Sequence, residues 1–279
     1  MNTSLFDFLN HIKVQKEPAA GQYLGEDGLI YCETCRTPVQ CRVHFEGKEQ
    51  VMPCICKCQK EERERQEQRM KEQEQMLTIR RLKSAGIQER HLQGWTFASA
   101  SSTPSIQMAK RYVENWKKAK AENLGLLLWG DVGTGKSFLA ACIANALLEK
   151  GVPVLMTNFS KILNQMGALY SDERYRYIAS FNRFSLLIID DLGIERNTEY
   201  ALEQIYAVVD ERYKAGLPLI ITTNLTINQI RNPEDVAHAR IYSRVLEMCT
   251  PIHVPGHDYR ASIEKEKQEM VKKVLFSDV

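Results

Sequence analysis

The run Gly130-Asp131-Val132-Gly133-Thr134-Gly135-Lys136-Ser137 constrains this chain more than any other stretch. It fulfils the pattern G-x-x-x-x-G-K-[ST] in full. An apolar segment, Leu124–Trp129, precedes it, and a segment with helical spacing (Phe138, Ala141, Cys142, Asn145, Leu148) follows it. Glycines at these positions let the backbone curl until successive N–H groups point at one anion. A helix beginning near Lys136 adds the positive end of its dipole. The Lys136 ammonium is then placed for the β- and γ-phosphates of ATP, and the Ser137 hydroxyl for Mg²⁺. The nucleotide-binding segment is expected to run from Gly130 through Phe138.

A strand, a glycine loop and a helix in that order imply an α/β fold. The rest of the chain from residue 91 to about residue 260 agrees. Apolar runs at Val152–Asn158, Leu186–Ile189, Leu217–Thr222 and Pro251–Val254 join Leu124–Trp129 as strand candidates. Continuous apolar runs suit strands covered on both faces. Between them Leu202, Ile205, Val209 and Tyr213 keep a 3.6-residue helical period. The expectation is a central parallel five-stranded sheet flanked by helices.

Two of these strands complete the phosphate site. Leu186–Ile189 delivers Asp190 and Asp191 at a carboxyl end of the sheet. Asp190 is the expected Mg²⁺ partner, and Asp191 is placed to orient or deprotonate an attacking water. Asn224 ends the strand through Thr223 and faces the same edge, where open α/β sheets bind ligands.

Bulk properties exclude other classes. The net charge of +2 gives no general attraction for nucleic acid, so any such contact must come from a local patch. No apolar run approaches the roughly 20 residues that span a bilayer. Met1–Asn10 lacks the pattern of a secretory leader. A soluble cytoplasmic protein without membrane contact is expected.

Six of the eight cysteines fall between Cys32 and Cys58. In a cytoplasmic chain such clustering points to metal more than to disulfides. Cys32-x2-Cys35 and Cys54-x-Cys56-x-Cys58 lie on either side of a spacer of 18 residues. Within the spacer, Gln40–Phe45 and Glu49–Met52, around Glu46-Gly47-Lys48, read as a hairpin. This is similar to a small zinc ribbon. The expected Zn²⁺ ligands are Cys32, Cys35, Cys54 and Cys56, with Cys58 an alternative to Cys56. Cys41 and His44 rank below these because their spacing puts them inside the hairpin. Cys142 and Cys249 are single and read as core residues.

Four segments follow: a zinc-binding module over 1–58, a charged helical linker over 59–90, an ATPase domain over 91–262 and a charged tail over 263–279. A short stripe of Leu5, Phe6 and Leu9 precedes the cysteines.

Together these parts resemble an AAA+ P-loop ATPase, and more narrowly the DnaC/DnaI-type replicative helicase loaders and the related IstB transposition ATPases. The likeness covers Trp95 to Arg260. It rests on Leu186-Leu187-Ile188-Ile189-Asp190-Asp191-Leu192-Gly193, on Ala239-Arg240-Ile241-Tyr242-Ser243-Arg244-Val245 and on His257-Asp258-Tyr259-Arg260. The resemblance implies that Arg244 reaches the γ-phosphate of a neighbouring subunit, with Arg240 on the same face. It implies that Arg260 touches nucleotide in its own subunit. Asp191 departs from the Glu that many AAA+ proteins carry, which suggests slow, partner-stimulated turnover.

The likeness further implies loading of a hexameric replicative helicase onto single-stranded DNA, with residues 1–60 gripping the helicase. The DNA segment would include Asn158, Phe159, Ser160, Lys161, Tyr170, Arg174, Tyr175, Arg176 and Tyr177, whose aromatic and basic groups suit stacking and phosphate contact. An IstB-type role in transposition, a nucleotide-binding adaptor without useful hydrolysis and a small-molecule kinase are the alternatives.

Overall fold

A computed structural model describes residues 17–45, 47–193, 198–256 and 258–276. The stripe of Leu5, Phe6 and Leu9 lies outside the described residues, as do Glu46 and His257. The chain divides into two compact units, residues 1–76 and 77–279.

The first unit holds two antiparallel pairs. Strands β1 (Gln22–Leu24) and β2 (Ile30–Cys32) form one, and β3 (Gln40–Phe45) and β4 (Lys48–Pro53) form the other. The second pair is the hairpin expected from the sequence. Gln40 stitches the pairs together: its buried side-chain oxygen accepts the Ile30 N–H at 3.1 Å. The apolar core is small, made of Ile30, Val39, Cys32 and Cys56. So little apolar surface is a weak basis for folding without a further crosslink.

Helix α1 (Lys57–Gly86) runs for 30 residues, and only Gly86 is buried. Its exposed charges pair along the helix, as in Lys57–Glu61 at 4.0 Å and Arg63–Glu67 at 3.2 Å. Such i,i+4 pairs support a helix that lacks an apolar stripe. The last turn differs. Leu82 packs against the core of the second unit, and the fully buried Ile87 forms a parallel bridge with Met156.

The second unit is built on a five-stranded parallel sheet. Its strands are β5 (Gly125–Trp129), β6 (Val154–Asn158), β7 (Leu186–Leu192), β8 (Leu219–Thr223) and β9 (Cys249–His253), in spatial order β6-β7-β8-β5-β9. All five expected strands are present. Alternation sorts their side chains between two cores. Leu126, Leu128, Ile188 and Ile220 face a cluster built with α3 (Pro104–Glu114) and α5 (Lys136–Glu149). Leu127, Leu187, Ile189 and Ile221 face the other, built with α6 (Phe159–Gly167), α8 (Glu199–Lys214) and α10 (Val236–Met248). Between these lie α2 (Arg90–Gln93), α4 (Trp116–Ala121), α7 (Ser171–Ser180) and α9 (Ile227–Arg231), and α11 (Tyr259–Phe276) follows β9.

Two buried polar side chains fix what surrounds the sheet. The Asn145 amide on α5 donates to the carbonyls of Leu92 at 2.8 Å and Trp95 at 2.9 Å. Arg212 on α8 is 1% exposed and donates to the carbonyls of Phe184, Ser185 and Pro218. It thus holds the starts of β7 and β8 together, and burial lowers its pKa to about 10.

Candidate nucleotide and metal sites

The phosphate loop lies between β5 and α5. Gly130, Gly133 and Gly135 have φ of +150°, +80° and +91°, values a side chain would strain. A tertiary contact adds to the demand at Gly133, where a Cβ would overlap the Asp258 carboxylate. The Tyr259 N–H donates to the Gly133 carbonyl at 3.1 Å, so the segment after β9 is fastened to the loop. The Lys136 ammonium is buried and donates to the loop's own carbonyls, Gly130 at 2.9 Å and Asp131 at 2.6 Å. Burial pulls its pKa down, opposed by the charges of Asp191, Asp131 and Asp190. Asp131 and Val132 are exposed, while Thr134 is buried and its hydroxyl donates to the Asp131 carbonyl at 3.0 Å.

Strand β7 continues past Ile189, and its pairing with β8 slips between Ile189 and Leu192. The irregularity sits at the two acids. Asp191 adopts φ +60°, an uncommon left-handed conformation for a residue with a side chain. Thr222 holds the slip: its hydroxyl donates to Asp190 Oδ1 at 2.6 Å and accepts from the Asp191 N–H at 2.9 Å. Burial raises the Asp190 pKa above the ordinary carboxylate range, and the nearby Asp191 charge adds to this. Hydrogen bonds from Thr222 and Ser137 oppose the shift. The Ser137 hydroxyl is close enough to favour the charged Asp190 carboxylate, and the two make a donor pair that fits a hard cation such as Mg²⁺.

This arrangement has a measurable consequence. A carboxyl with a raised folded-state pKa contributes stability fully present below pH 3.8 and lost as pH rises through the folded value. Asp190→Asn should therefore raise the nucleotide-free melting temperature at pH 7, with the gain vanishing below pH 3.8. Thermal melts across pH check this.

A cavity of about 540 Å³ opens beside the loop. Gly133, Thr134, Gly135, Lys136, Ser137, Phe138, Asp191, Asn224 and Arg260 line it. Neither Arg240 nor Arg244 is among its wall residues. Arg240 is exposed on α10, and Arg244 is bound to α8 through Asp210 at 2.8 Å. Trp95, Ser99, Ser101, Thr103, Ile106, Pro255 and Tyr259 also line it. Ser99, Ser101, Thr103 and Ile106 escaped the sequence reading, as did Thr222, because a hydroxyl-rich loop before a helix has no motif of its own. Its position comes from the Asn145 bonds to Leu92 and Trp95.

The expected DNA segment is partly committed elsewhere. Phe159 is 1% exposed and packs in the core, so it is not available for base stacking. Helical spacing turns it inward at the start of α6. The Asn158 side chain caps α6, accepting from the Lys161 N–H, and Lys161 pairs with Glu89. Arg174 donates to the Met166 and Leu169 carbonyls and lies 5.5 Å from the Tyr200 ring centroid. Tyr170 and Tyr175 are 83% and 69% exposed, and Arg176 is exposed beside them.

In the first unit, the sulfurs of Cys32, Cys35, Cys56 and Cys58 lie within 4.8 Å of one another. Four thiolates on one tetrahedral Zn²⁺ stand about 3.8 Å apart, given Zn–S bonds of about 2.3 Å. The quartet fits. It corrects the expected set by replacing Cys54 with Cys58. The chain leaves β4 at Pro53 and enters α1 at Lys57, so two-residue alternation does not carry Cys54 to the same point. Instead the Cys54 backbone extends the hairpin, with its N–H on the Val39 carbonyl at 2.8 Å, and its thiol contacts the Pro38 carbonyl at 3.4 Å. Cys41 is likewise outside the quartet. The Thr37 hydroxyl helps pull Cys35 down to about 5, while the bond with Cys56 heads the causes that push Cys58 up to about 12. Four thiols this close cannot all ionise without a cation among them.

A parallel sheet, a complete phosphate loop and paired acids on strand β7 define an AAA+ P-loop ATPase. The profile of a single family, described as IstB-like ATP binding protein, matches residues 57–268. The chain belongs to that family. It is 26% identical over 194 residues to the replicative helicase loader DnaI of Bacillus subtilis, a match covering 64% of this chain and 62% of the relative. An insertion-sequence ATP-binding protein of Mycobacterium tuberculosis is 23% identical over 185 residues, covering 65% of this chain and 72% of that protein. The helicase loader DnaC of Escherichia coli is 25% identical over 158 residues, covering 54% of this chain and 63% of the relative. The fold is also that of a DnaI crystal structure, with a TM-score of 0.52, 23% identity and coverage of 64% of this chain and 98% of that one.

No described helix is long and apolar enough to cross a membrane.

Proposed function

We propose that this chain is an ATP-hydrolysing switch that loads a hexameric replicative helicase onto single-stranded DNA in the cytoplasm. The observation that carries the reading is the meeting of Lys136, Ser137, Asp190, Asp191, Asn224 and Arg260 at one phosphate loop. The chain's likeness to two helicase loaders supplies the partner.

In this reading the loop N–H groups and Lys136 hold the phosphates. Ser137 and Asp190 hold Mg²⁺, which neutralises phosphate charge when bound. Asp191 orients the attacking water and takes its proton, and Asn224 steadies that water against the γ-phosphate. Arg260 contacts nucleotide in the same subunit, while Arg244, with Arg240 beside it, acts on the nucleotide of a neighbour. Turnover is slow in the isolated chain and rises on assembly. Residues 1–58 with zinc grip the helicase, 59–90 link, 91–262 form the ATPase and 263–279 form a tail. Tyr170, Tyr175 and Arg176 are the surface left for DNA.

The test is capture of the host's replicative helicase with ATP and with ADP, combined with ATPase rates. Helicase retained with ATP, and hydrolysis stimulated by helicase and single-stranded DNA, is the expected result. Recovery of a transposase instead would favour a role in transposition, to which the insertion-sequence relative also points. A fast rate independent of partners would overturn the switch.

A further inference from the structure

We infer that Tyr206, Asp210 and Tyr213 are positioning residues that clamp Arg244 for its work on a neighbouring subunit. The inference rests on the proposed reading of Arg244 as an arginine supplied across subunits.

The three residues follow one another on α8 at spacings of four and three, so they form one stripe. Helix α10 packs against that stripe and places Arg244 upon it. The Asp210 carboxylate forms an ion pair with Arg244, Oδ1 to Nη2 at 2.8 Å, through charge and not through an aligned hydrogen bond. The Tyr206 hydroxyl lies 3.4 Å from Nε and 3.3 Å from Nη2. The face of the guanidinium rests on the Tyr213 ring, 4.4 Å from its centroid. A guanidinium held at its edge and over one face has little rotational freedom.

The clamp is itself held. Tyr213 donates its hydroxyl to Glu247 at 2.7 Å, one turn beyond Arg244 on α10. Lys214 takes the second oxygen of Asp210 at 2.8 Å, which leaves the first for Arg244. The Asp210 side chain is 13% exposed, whereas Arg244 keeps 29% exposure. The carboxylate is thus enclosed while the arginine stays reachable. Arg240, one turn earlier, is exposed, and no side-chain bond or ion pair falls on it among the described residues. Only one of the two arginines is clamped.

An arginine on a surface helix has several rotatable bonds to freeze before it can meet a phosphate. The clamp freezes them in advance, which is the general route by which a fixed charge lowers a barrier. A loss of positioning should lower kcat and leave KM unchanged, since it acts on the reacting phosphate and not on nucleotide capture.

The experiment uses the full chain, at concentrations where the ATPase rate per chain rises with concentration. Asp210→Asn and Tyr213→Leu are each expected to lower kcat about tenfold, the equivalent of ~1.4 kcal/mol of lost transition-state stabilisation, with KM within about twofold. Tyr213→Phe keeps the ring but loses the Glu247 bond, and should fall between wild type and Tyr213→Leu. Adding Asp210→Asn to Arg244→Ala should cost nothing further, because the clamp acts only through Arg244. A wild-type or faster rate for Asp210→Asn would overturn the clamp. An unchanged rate for Arg244→Ala would instead sink the subunit-spanning reading. The Arg244 Nη–H resonances separate the two: they should be slow to exchange with solvent in the native chain and fast in Asp210→Asn. Equal exchange in both would overturn the clamp, whatever the rates show.

Discussion

Lys136→Ala should weaken ATP binding at least about a hundredfold, because the two charge-assisted bonds proposed from this ammonium to the β- and γ-phosphates are each worth roughly 1.5–3 kcal/mol. Titration with a fluorescent ATP analogue, or calorimetry, measures this. The structure also predicts what should not change. Lys136 is buried, and its bonds go only to the Gly130 and Asp131 carbonyls. Burial already disfavours its charge. Removing that charge should therefore leave the melting temperature of the nucleotide-free chain nearly unchanged. Loss of binding with retained fold would tie the phosphate site to this loop. Undiminished affinity would place the nucleotide elsewhere.

The second large effect concerns the cysteine quartet. The chain should carry one zinc, and Cys56→Ser or Cys58→Ser should lose it, while Cys54→Ser keeps it. Structural zinc contributes roughly 10–16 kcal/mol of apparent binding energy in small metal-dependent folds. The core around Ile30 and Val39 is too small to replace that. Chelation should therefore collapse the amide spectrum of residues 17–56. Nucleotide affinity should survive, because the proposed site lies within residues 77–279. Metal analysis of the purified variants decides the ligand set. A zinc-free Cys54→Ser beside a zinc-loaded Cys58→Ser would reverse the assignment drawn from the geometry.

The difference between Cys54 and Cys58 shows how far spacing carries. A C-x-C-x-C run announces metal, but the choice among three thiols depends on where the strand stops and the helix starts. That junction, at Pro53 and Lys57, is decided by the Val39 pairing and by the hydroxyl of Thr37, which accepts the Lys57 N–H at 2.9 Å. Neither is visible as a motif. The same holds for Phe159. Aromatic and basic residues side by side suit nucleic acid, yet helical spacing buries the ring and leaves Tyr170, Tyr175 and Arg176 outside.

What the amino-acid order determined by itself is the local chemistry of the ATPase. The glycine loop, the apolar strands and the acids at the end of Leu186–Ile189 are contiguous in sequence, and short-range backbone preferences and burial suffice to place them. The tertiary structure alone decided three other things. It brought the serine- and threonine-bearing loop of residues 99–105 to the same cavity as Lys136, through an asparagine some 40 residues later in the chain. It set Thr222 across from Asp190 and Asp191, because only a slipped pairing of β7 with β8 lets one hydroxyl serve both. It laid Arg244 on a tyrosine ring beside an enclosed carboxylate. Each depends on contacts between residues distant in sequence, whose partners emerge only when the sheet and its two helical layers close.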